Sequence, residues 1–355
     1  MAASQLGGQQ LGNPKNAFGA ENRNRLIEEY FDRQSVSELR THEAWKHVYR
    51  LLLWPDPTTG LAHCYESDKC QPGKNWYSRS LAFHSWLSAA LGSTPLELPN
   101  EIDWLFRRAA SDLAADVERR TPRLLEAAKR QMAPYSHQKF PIAGEDPKVI
   151  SIVTQALEQY ISESISEESW RLLTLNLRQY YSLENKRKNL VGEGFEDVLA
   201  HVARRTCENP ALNVDARQVL HDLPGFNRQR RGEKPNKVDL VVMGRKTRTL
   251  VTAKWSIRAD REKQFTTDFD DYVAAESDGR PFQYVLITNE FDPARLMRAC
   301  EKLVSNNYLF NNVIHINTDA LVATYGNAPE ASAARVVKHI SNGRLVSLSR
   351  WLQSL

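Results

Sequence analysis

Cysteine is scarce in this chain: its 355 residues carry only Cys64, Cys70, Cys207 and Cys300. So sparse a set excludes a disulfide scaffold at this size, and reduced thiols in a cytoplasm are the expectation. No apolar run approaches the roughly 18 residues of a membrane span, so no membrane partner is expected. The first residues are rich in Gly, Gln and Asn and lack the hydrophobic stretch of a secretory leader; residues 1–20 read as a flexible tail. There is no internal repeat. Net charge is also small, +4, and taken alone it says little about partners.

Hydrophobic residues make up 41% and charged residues 25%, the balance of a globular chain with a substantial core. The charge is unevenly placed. Residues 222–262 hold 11 Lys and Arg against 5 Asp and Glu, leaving −2 for the rest of the chain. A concentrated basic segment is what a phosphate-contacting surface requires, although a solvated basic face looks the same.

From about Asn22 to Tyr181 the chain reads as helices, with apolar residues three and four apart in 27–31, 44–54, 81–91 and 102–117. Trp54-Pro55-Asp56-Pro57 stops one of these helices, and Leu98-Pro99-Asn100 and Thr121-Pro122 read as helix starts. After Leu190 the character changes. A helix is expected to open at Gly192-Glu193-Gly194-Phe195-Glu196 and run to Thr206, followed by a polar, basic loop. Two β-type runs, 238–243 and 249–255, join through Gly244-Arg245-Lys246 as a hairpin. A helix over 260–275, a strand over 282–288, a helix over 293–303, a strand over 312–316 and closing helices complete the order. The expected fold class is α/β, a mixed central sheet flanked by helices behind a mainly helical N-terminal region. The expected division is a tail at 1–20, a helical domain or extension at 21–182 and a catalytic domain at 183–355.

Asp239 falls in one strand of the hairpin and Lys254 near the end of the other, so pairing brings an acid and an amine to one sheet edge. Phosphodiester hydrolysis needs that combination. A carboxylate holds a divalent metal that polarises the phosphate, and a nearby amine orients the nucleophile or offsets developing charge. Many hairpins carry such a pair, so the spacing that follows it matters more.

Lys254-x-Ser256-x-Arg258-x-Asp260-Arg261 resembles the lysine and Arg-x-(Asp/Glu)-Arg block of the CCGG-family type II restriction endonucleases, within the PD-(D/E)xK nuclease superfamily. Both arginines, the acid and the lysine stand at the family's spacing. The resemblance, which covers about residues 190–316, implies a restriction-endonuclease-like fold, Mg²⁺-dependent cleavage of double-stranded DNA at a palindromic CC·GG-containing site, and Lys254 as the catalytic lysine. It also implies that Arg258, Asp260 and Arg261 read bases. The physics agrees: Arg donates a bidentate pair to guanine O6 and N7, and a carboxylate accepts from cytosine N4. The alternative is a solvated helix start with its arginines in surface ion pairs.

One departure concerns the acids. The superfamily carries Glu or Asp two residues before the lysine, where this chain has Thr252. The CCGG family shares that departure and draws its acid from the following helix, about fourteen residues on. Asp268 stands there, in place of the family's usual Glu, with Asp270 and Glu262 as competitors. Glu196 is similar to a further acid on the preceding helix, with Glu193 one turn away, and it also suits a helix start. The metal set implied is therefore Asp239, Asp268 and Glu196. Arg228, Arg230, Arg231 and Ser256 are the expected backbone contacts. A homodimer, or a tetramer, is the expected assembly, partnered functionally by a DNA methyltransferase in a bacterial or archaeal cytoplasm.

Two rivals remain: another PD-(D/E)xK DNA nuclease, from repair or a mobile element, and a DNA-binding module without catalysis. In the N-terminal half, His63, Cys64, Cys70 and His84 lack the spacing of a structural zinc site, and buried thiols are the plainer reading. Residues 74–80, Lys-Asn-Trp-Tyr-Ser-Arg-Ser, read either as a phosphate contact or as a loop with Trp76 packed inward.

Overall fold

The computed structural model describes residues 17–34, 39–66, 69–131, 146–158, 160, 165–206, 211–227, 236–244, 248–327 and 329–355. In chain order the helices before the sheet are α1 (Ala20–Arg33), α2 (Ala44–Leu52), α3 (Tyr77–Leu91), the short α4 (Leu98–Glu101), α5 (Trp104–Gln131), α6 (Pro147–Leu157) and α7 (Glu167–Thr206). Strands β1 (Asn213–Val219), β2 (Lys237–Met243) and β3 (Arg248–Lys254) follow, then α8 (Glu262–Ala275), β4 (Gln283–Thr288) and α9 (Pro293–Glu301). The chain closes with β5 (Leu303–Val304), β6 (Asn307–Tyr308), β7 (Asn312–His315), α10 (Thr318–Tyr325), α11 (Ala331–Ser341), β8 (Leu345–Ser347) and α12 (Leu348–Gln353). Among the described residues no helix is long and apolar enough to cross a membrane.

By contact the chain divides into two compact units, and the division does not follow chain order. One holds Met1–Gly19 and Ala109–Leu190, the other Ala20–Arg108 and Val191–Leu355. In the first, Asp146 caps α6 by accepting from the amides of Lys148 and Val149, and Arg178 reaches the same carboxylate at 3.3 Å.

The second unit is built on a mixed six-stranded sheet in the order β1-β2-β3-β4-β7-β8. The pairs β1–β2 and β2–β3 are antiparallel, and β3–β4, β4–β7 and β7–β8 are parallel. Strands covered on both faces read as unbroken apolar runs: Tyr284, Val285, Leu286 and Ile287 of β4 are fully buried. Helices of residues 20–108 belong to the same core. The Tyr49 hydroxyl of α2 donates to Asn289 Oδ1 just past β4 at 2.9 Å, and Phe83 of α3 meets Phe291 edge-on at 4.7 Å. The fold is thus α/β, with a mixed sheet flanked by helices, and the residues before the sheet are mainly helical.

Several local expectations need correction. No helix starts at Gly192: α7 is continuous from Glu167. An interior glycine costs a helix only about 1 kcal/mol, and Phe195, Val198, Leu199 and Val202, buried at helical spacing, hold this one together. Pro122 does not open a helix but lies inside α5, where it removes one amide donor without ending the ladder. The segment read as polar loop after Thr206 contains β1. Its sequence, Asn-Val-Asp-Ala-Arg-Gln-Val, alternates only through Val214 and Ala216 before Arg217-Gln218 break the pattern, and pairing along the edge of β2 makes it a strand. Strand β8 and the β5–β6 hairpin, turned through Ser305 and Asn306 at positive φ, are likewise too short to leave a periodic signal.

The start of β3 is anchored by Arg248, whose buried guanidinium meets Glu276 at 3.1 Å and Asp278 at 3.0 Å. Gly225 closes over this cluster at φ +83°, and a Cβ there would stand 2.4 Å from both Arg248 Nη1 and Asp278 Oδ2. Gly225→Ala is therefore expected to cost about 1–3 kcal/mol in urea unfolding, from the left-handed backbone and the displaced ion pair. An unchanged unfolding midpoint would contradict this.

Candidate active site

The β2–β3 ladder runs from Met243↔Arg248 to Leu240↔Val251 and stops one residue short of Asp239. There the aspartate side chain takes over. Asp239 Oδ2 accepts from the Ala253 amide at 2.9 Å, the Thr252 hydroxyl at 3.2 Å and the Lys254 ammonium at 2.6 Å. Three successive residues of β3 thus converge on one carboxylate oxygen, and the lysine contact is a charge-assisted bond of the strong kind. Thr252, standing where an acid was absent, is a donor to the acid that is present.

Glu196 reaches this edge from α7. The ring of its neighbour Phe195 packs edge-on against Trp255, at 5.3 Å, which seats that turn of α7 beside the end of β3. Burial first, then the Asp239 charge, pushes the Glu196 carboxyl up to about 8, against the opposing pull of Lys254 and Arg217. Arg217, on β1, donates to Glu196 Oε2 at 3.2 Å and pairs with Asp197. Glu193, the alternative acid, is largely exposed and pairs with Arg23 at 2.8 Å.

Of the three candidate acids on α8, Asp268 is the one whose carboxyl responds to the Asp239 charge. Its carboxyl is shifted upward, mainly by burial; a Gln264 hydrogen bond opposes this, and the Asp239 charge adds to it. Asp270 is exposed, and Glu262 is held by Arg298 at 2.8 Å.

Beyond Lys254 the burial alternates. Trp255 and Ile257 are buried, while Ser256 and Arg258 face solvent. The Ile257 amide donates to Glu290 Oε2 at 2.7 Å, and the Asn289 amide donates to the Trp255 carbonyl at 3.0 Å. Buried Glu290, just past β4, therefore braces the segment between the lysine and the arginines. Arg258 precedes a 3₁₀ turn, Ala259–Arg261, that leads into α8. Its guanidinium grips Asp260 with a two-bond fork at 3.1 and 3.0 Å, both side chains about 60% exposed. Among the described residues the exposed Arg261 side chain makes no ion pair.

Arg228, Arg230 and Arg231 lie outside the described residues, as does Cys207. The other N-terminal candidates are accounted for within the core. Cys64 and Cys70 are buried and share the Ser80 hydroxyl at 3.5 and 3.2 Å, and His84 Nδ1 accepts from the Ala62 amide at 2.9 Å. Trp76 is half-buried beneath the Arg79 guanidinium, 4.6 Å from its ring centre. Arg217 and Glu290 were not legible in the sequence. Arg217 lies where a short, mostly polar alternation breaks off, and Glu290 follows a buried strand with no motif around it.

No protein-family model matches the chain, and no curated protein matches it. Among solved structures, the chain is similar to one described as metal-depleted Ecl18kI in complex with uncleaved, modified DNA. The two are 13% identical over 97% of this chain and 83% of that one, with a TM-score of 0.30.

The raised Glu196 carboxyl has a consequence for stability. Ionising it is harder in the folded protein than in the unfolded chain. The wild type therefore keeps this group's full contribution below the ordinary glutamate range and loses it as pH climbs toward about 8. Each tenfold change in proton affinity between the two states is worth about 1.4 kcal/mol, so Glu196→Gln is expected to be the more stable in metal-free buffer. The margin should grow between pH 5 and 8 to a few kcal/mol, read as melting temperature against pH. A margin that does not change with pH would show that Glu196 ionises freely.

Proposed function

We propose that this protein is a Mg²⁺-dependent endonuclease that cuts double-stranded DNA in the manner of a type II restriction enzyme, at a palindromic site containing CC·GG. The observation that carries the reading is the 2.6 Å contact between Lys254 and Asp239, with the Arg258, Asp260 and Arg261 turn exposed directly beyond it.

The acids present fit a magnesium ion. Mg²⁺ takes one or two carboxylates and fills its remaining positions with water and substrate phosphate. Asp239 and Glu196, with Asp268 as a further acid, meet that need, although no group of three or more His, Cys, Asp or Glu among the described residues is arranged to enclose a metal. When bound, the ion supplies polarisation of the scissile phosphate and a water of lowered pKa. The chain's own part is positional. Thr252 and the Ala253 amide hold the Asp239 carboxylate in place, and the Lys254 ammonium orients the attacking water or offsets charge on the phosphate. The products are a 5′-phosphate and a 3′-hydroxyl.

Base reading is assigned to Arg258 and Arg261, which donate to guanine, and to Asp260, which accepts from cytosine. The Arg258–Asp260 fork holds the two groups side by side before DNA arrives. Ser256, with Arg228, Arg230 and Arg231, is assigned to the phosphate backbone. Cutting both strands of a palindrome calls for two copies of the site, hence a symmetric homodimer or a tetramer, and a partner methyltransferase protects the host's own sites. That same fork also favours a second reading, a PD-(D/E)xK nuclease whose Arg-Asp-Arg block does not read bases.

Incubation of plasmid DNA with the protein and Mg²⁺, followed by sequencing of fragment ends, separates the readings. Ends at CC·GG sites support restriction, and scattered or structure-dependent nicks support the second. Lys254→Ala is expected to lower single-turnover cleavage by on the order of 10²–10³-fold while DNA binding persists. Near-normal cleavage in that variant would remove the lysine from the chemistry. Arg258→Ala and Arg261→Ala are each expected to shrink discrimination between cognate and single-mismatch sites by roughly 5- to 150-fold, the equivalent of ~1–3 kcal/mol. Unaltered discrimination would remove the recognition role.

A further inference from the structure

Arg217 has an unusual backbone. It is a non-glycine residue at φ +53° in the middle of a strand, and the β1–β2 pairing passes over it: Ala216 pairs with Leu240 and Gln218 with Val238, so the register skips the position where Arg217 and Asp239 would meet. Residues directly opposite in an antiparallel pair carry their side chains on one face. A regular strand would therefore set the guanidinium beside the Asp239 carboxylate, where it would compete with Lys254 and with any metal.

The left-handed turn instead delivers the guanidinium to α7. Nη1 donates to Glu196 Oε2 at 3.2 Å and to the Glu193 carbonyl at 3.1 Å, and Nη2 pairs with Asp197. The second oxygen of Asp197 is taken by buried Arg23 of α1 at 2.8 Å, so this end of the fork is fixed from both sides. Among the described residues no hydrogen bond or ion pair joins Arg217 to Asp239. A strained residue persists where its surroundings over-determine it, and such residues gather at functional sites.

We propose that Arg217 is a positioning residue for the metal site: it pins Glu196 through Oε2, and its left-handed backbone keeps its guanidinium from bonding to Asp239. This rests on the reading of Asp239 and Glu196 as metal ligands.

The test compares wild type, Arg217→Gly, Arg217→Lys and Asp239→Asn as full-length proteins, with Mn²⁺ binding followed by calorimetry in the absence of DNA. Glycine adopts the same positive φ without strain, so Arg217→Gly spares the backbone turn while removing the side chain and its contacts to Glu196 and Asp197. Its metal-free melting temperature is expected to fall, because Glu196 and Asp197 lose a cation. Binding is therefore measured well below that melting temperature, where its Mn²⁺ affinity is expected to fall about tenfold or more. Arg217→Lys keeps a charge without the fork and is expected to bind with intermediate affinity, which a purely structural role would not produce. If Asp239→Asn loses Mn²⁺ binding but both Arg217 variants bind within twofold of wild type, the positioning role is overturned and the metal site stands. If the wild type binds no Mn²⁺, or Asp239→Asn binds as well as wild type, the site and this inference fall together.

Discussion

The site depends on one carboxylate oxygen. Asp239 Oδ2 collects an amide, a hydroxyl and an ammonium from three consecutive residues of β3, at the point where the backbone ladder between the two strands stops. A half-buried carboxylate left unpaired would be costly. Here the strand that carries the lysine also satisfies the acid, so the distance between Asp239 and Lys254 follows from the hairpin rather than from two flexible side chains meeting. Both side chains keep partial access to solvent, Lys254 at 36% and Asp239 at 19%.

Charge balance around that oxygen explains the neighbours. A second acid, Glu196, is buried close enough to Asp239 for the two negative charges to oppose each other, and its carboxyl is held toward the neutral form. Arg217 and Lys254 each relieve part of that repulsion without removing it. Asp268 on α8 is also shifted upward, mainly by its own burial, with the Asp239 charge adding to it.

The turn beyond Lys254 is held from several sides at once. Glu290 takes the Ile257 amide, and Trp255 lies between Phe195 of α7 and Trp54 of the N-terminal helical segment, 5.3 and 6.5 Å between ring centres. Ser256 and Arg258 project from a backbone whose intervening residues, Trp255 and Ile257, are packed in the core, and the exposed turn Ala259–Arg261 follows. Recognition and chemistry, on the proposed reading, thus share one rigid support that runs from β3 into α8.

Much of this was legible in the chain itself. The β-type runs on either side of Gly244, the helix after Asp260 and the buried run of β4 are local patterns, and local patterns carry the Asp239–Lys254 pairing and the placement of Arg258 and Asp260 at a helix start. What was not legible has a common physical origin. Strand β1 exists because β2 offers an edge, α7 passes through two glycines because buried side chains outweigh their cost, and Glu196, Arg217 and Glu290 join the site from elements distant in sequence. Short-range spacing determined which residues could form the acid–amine edge. Only tertiary packing decided which further charges stand around it, because burial and electrostatic reach depend on distances in space that spacing along the chain does not contain.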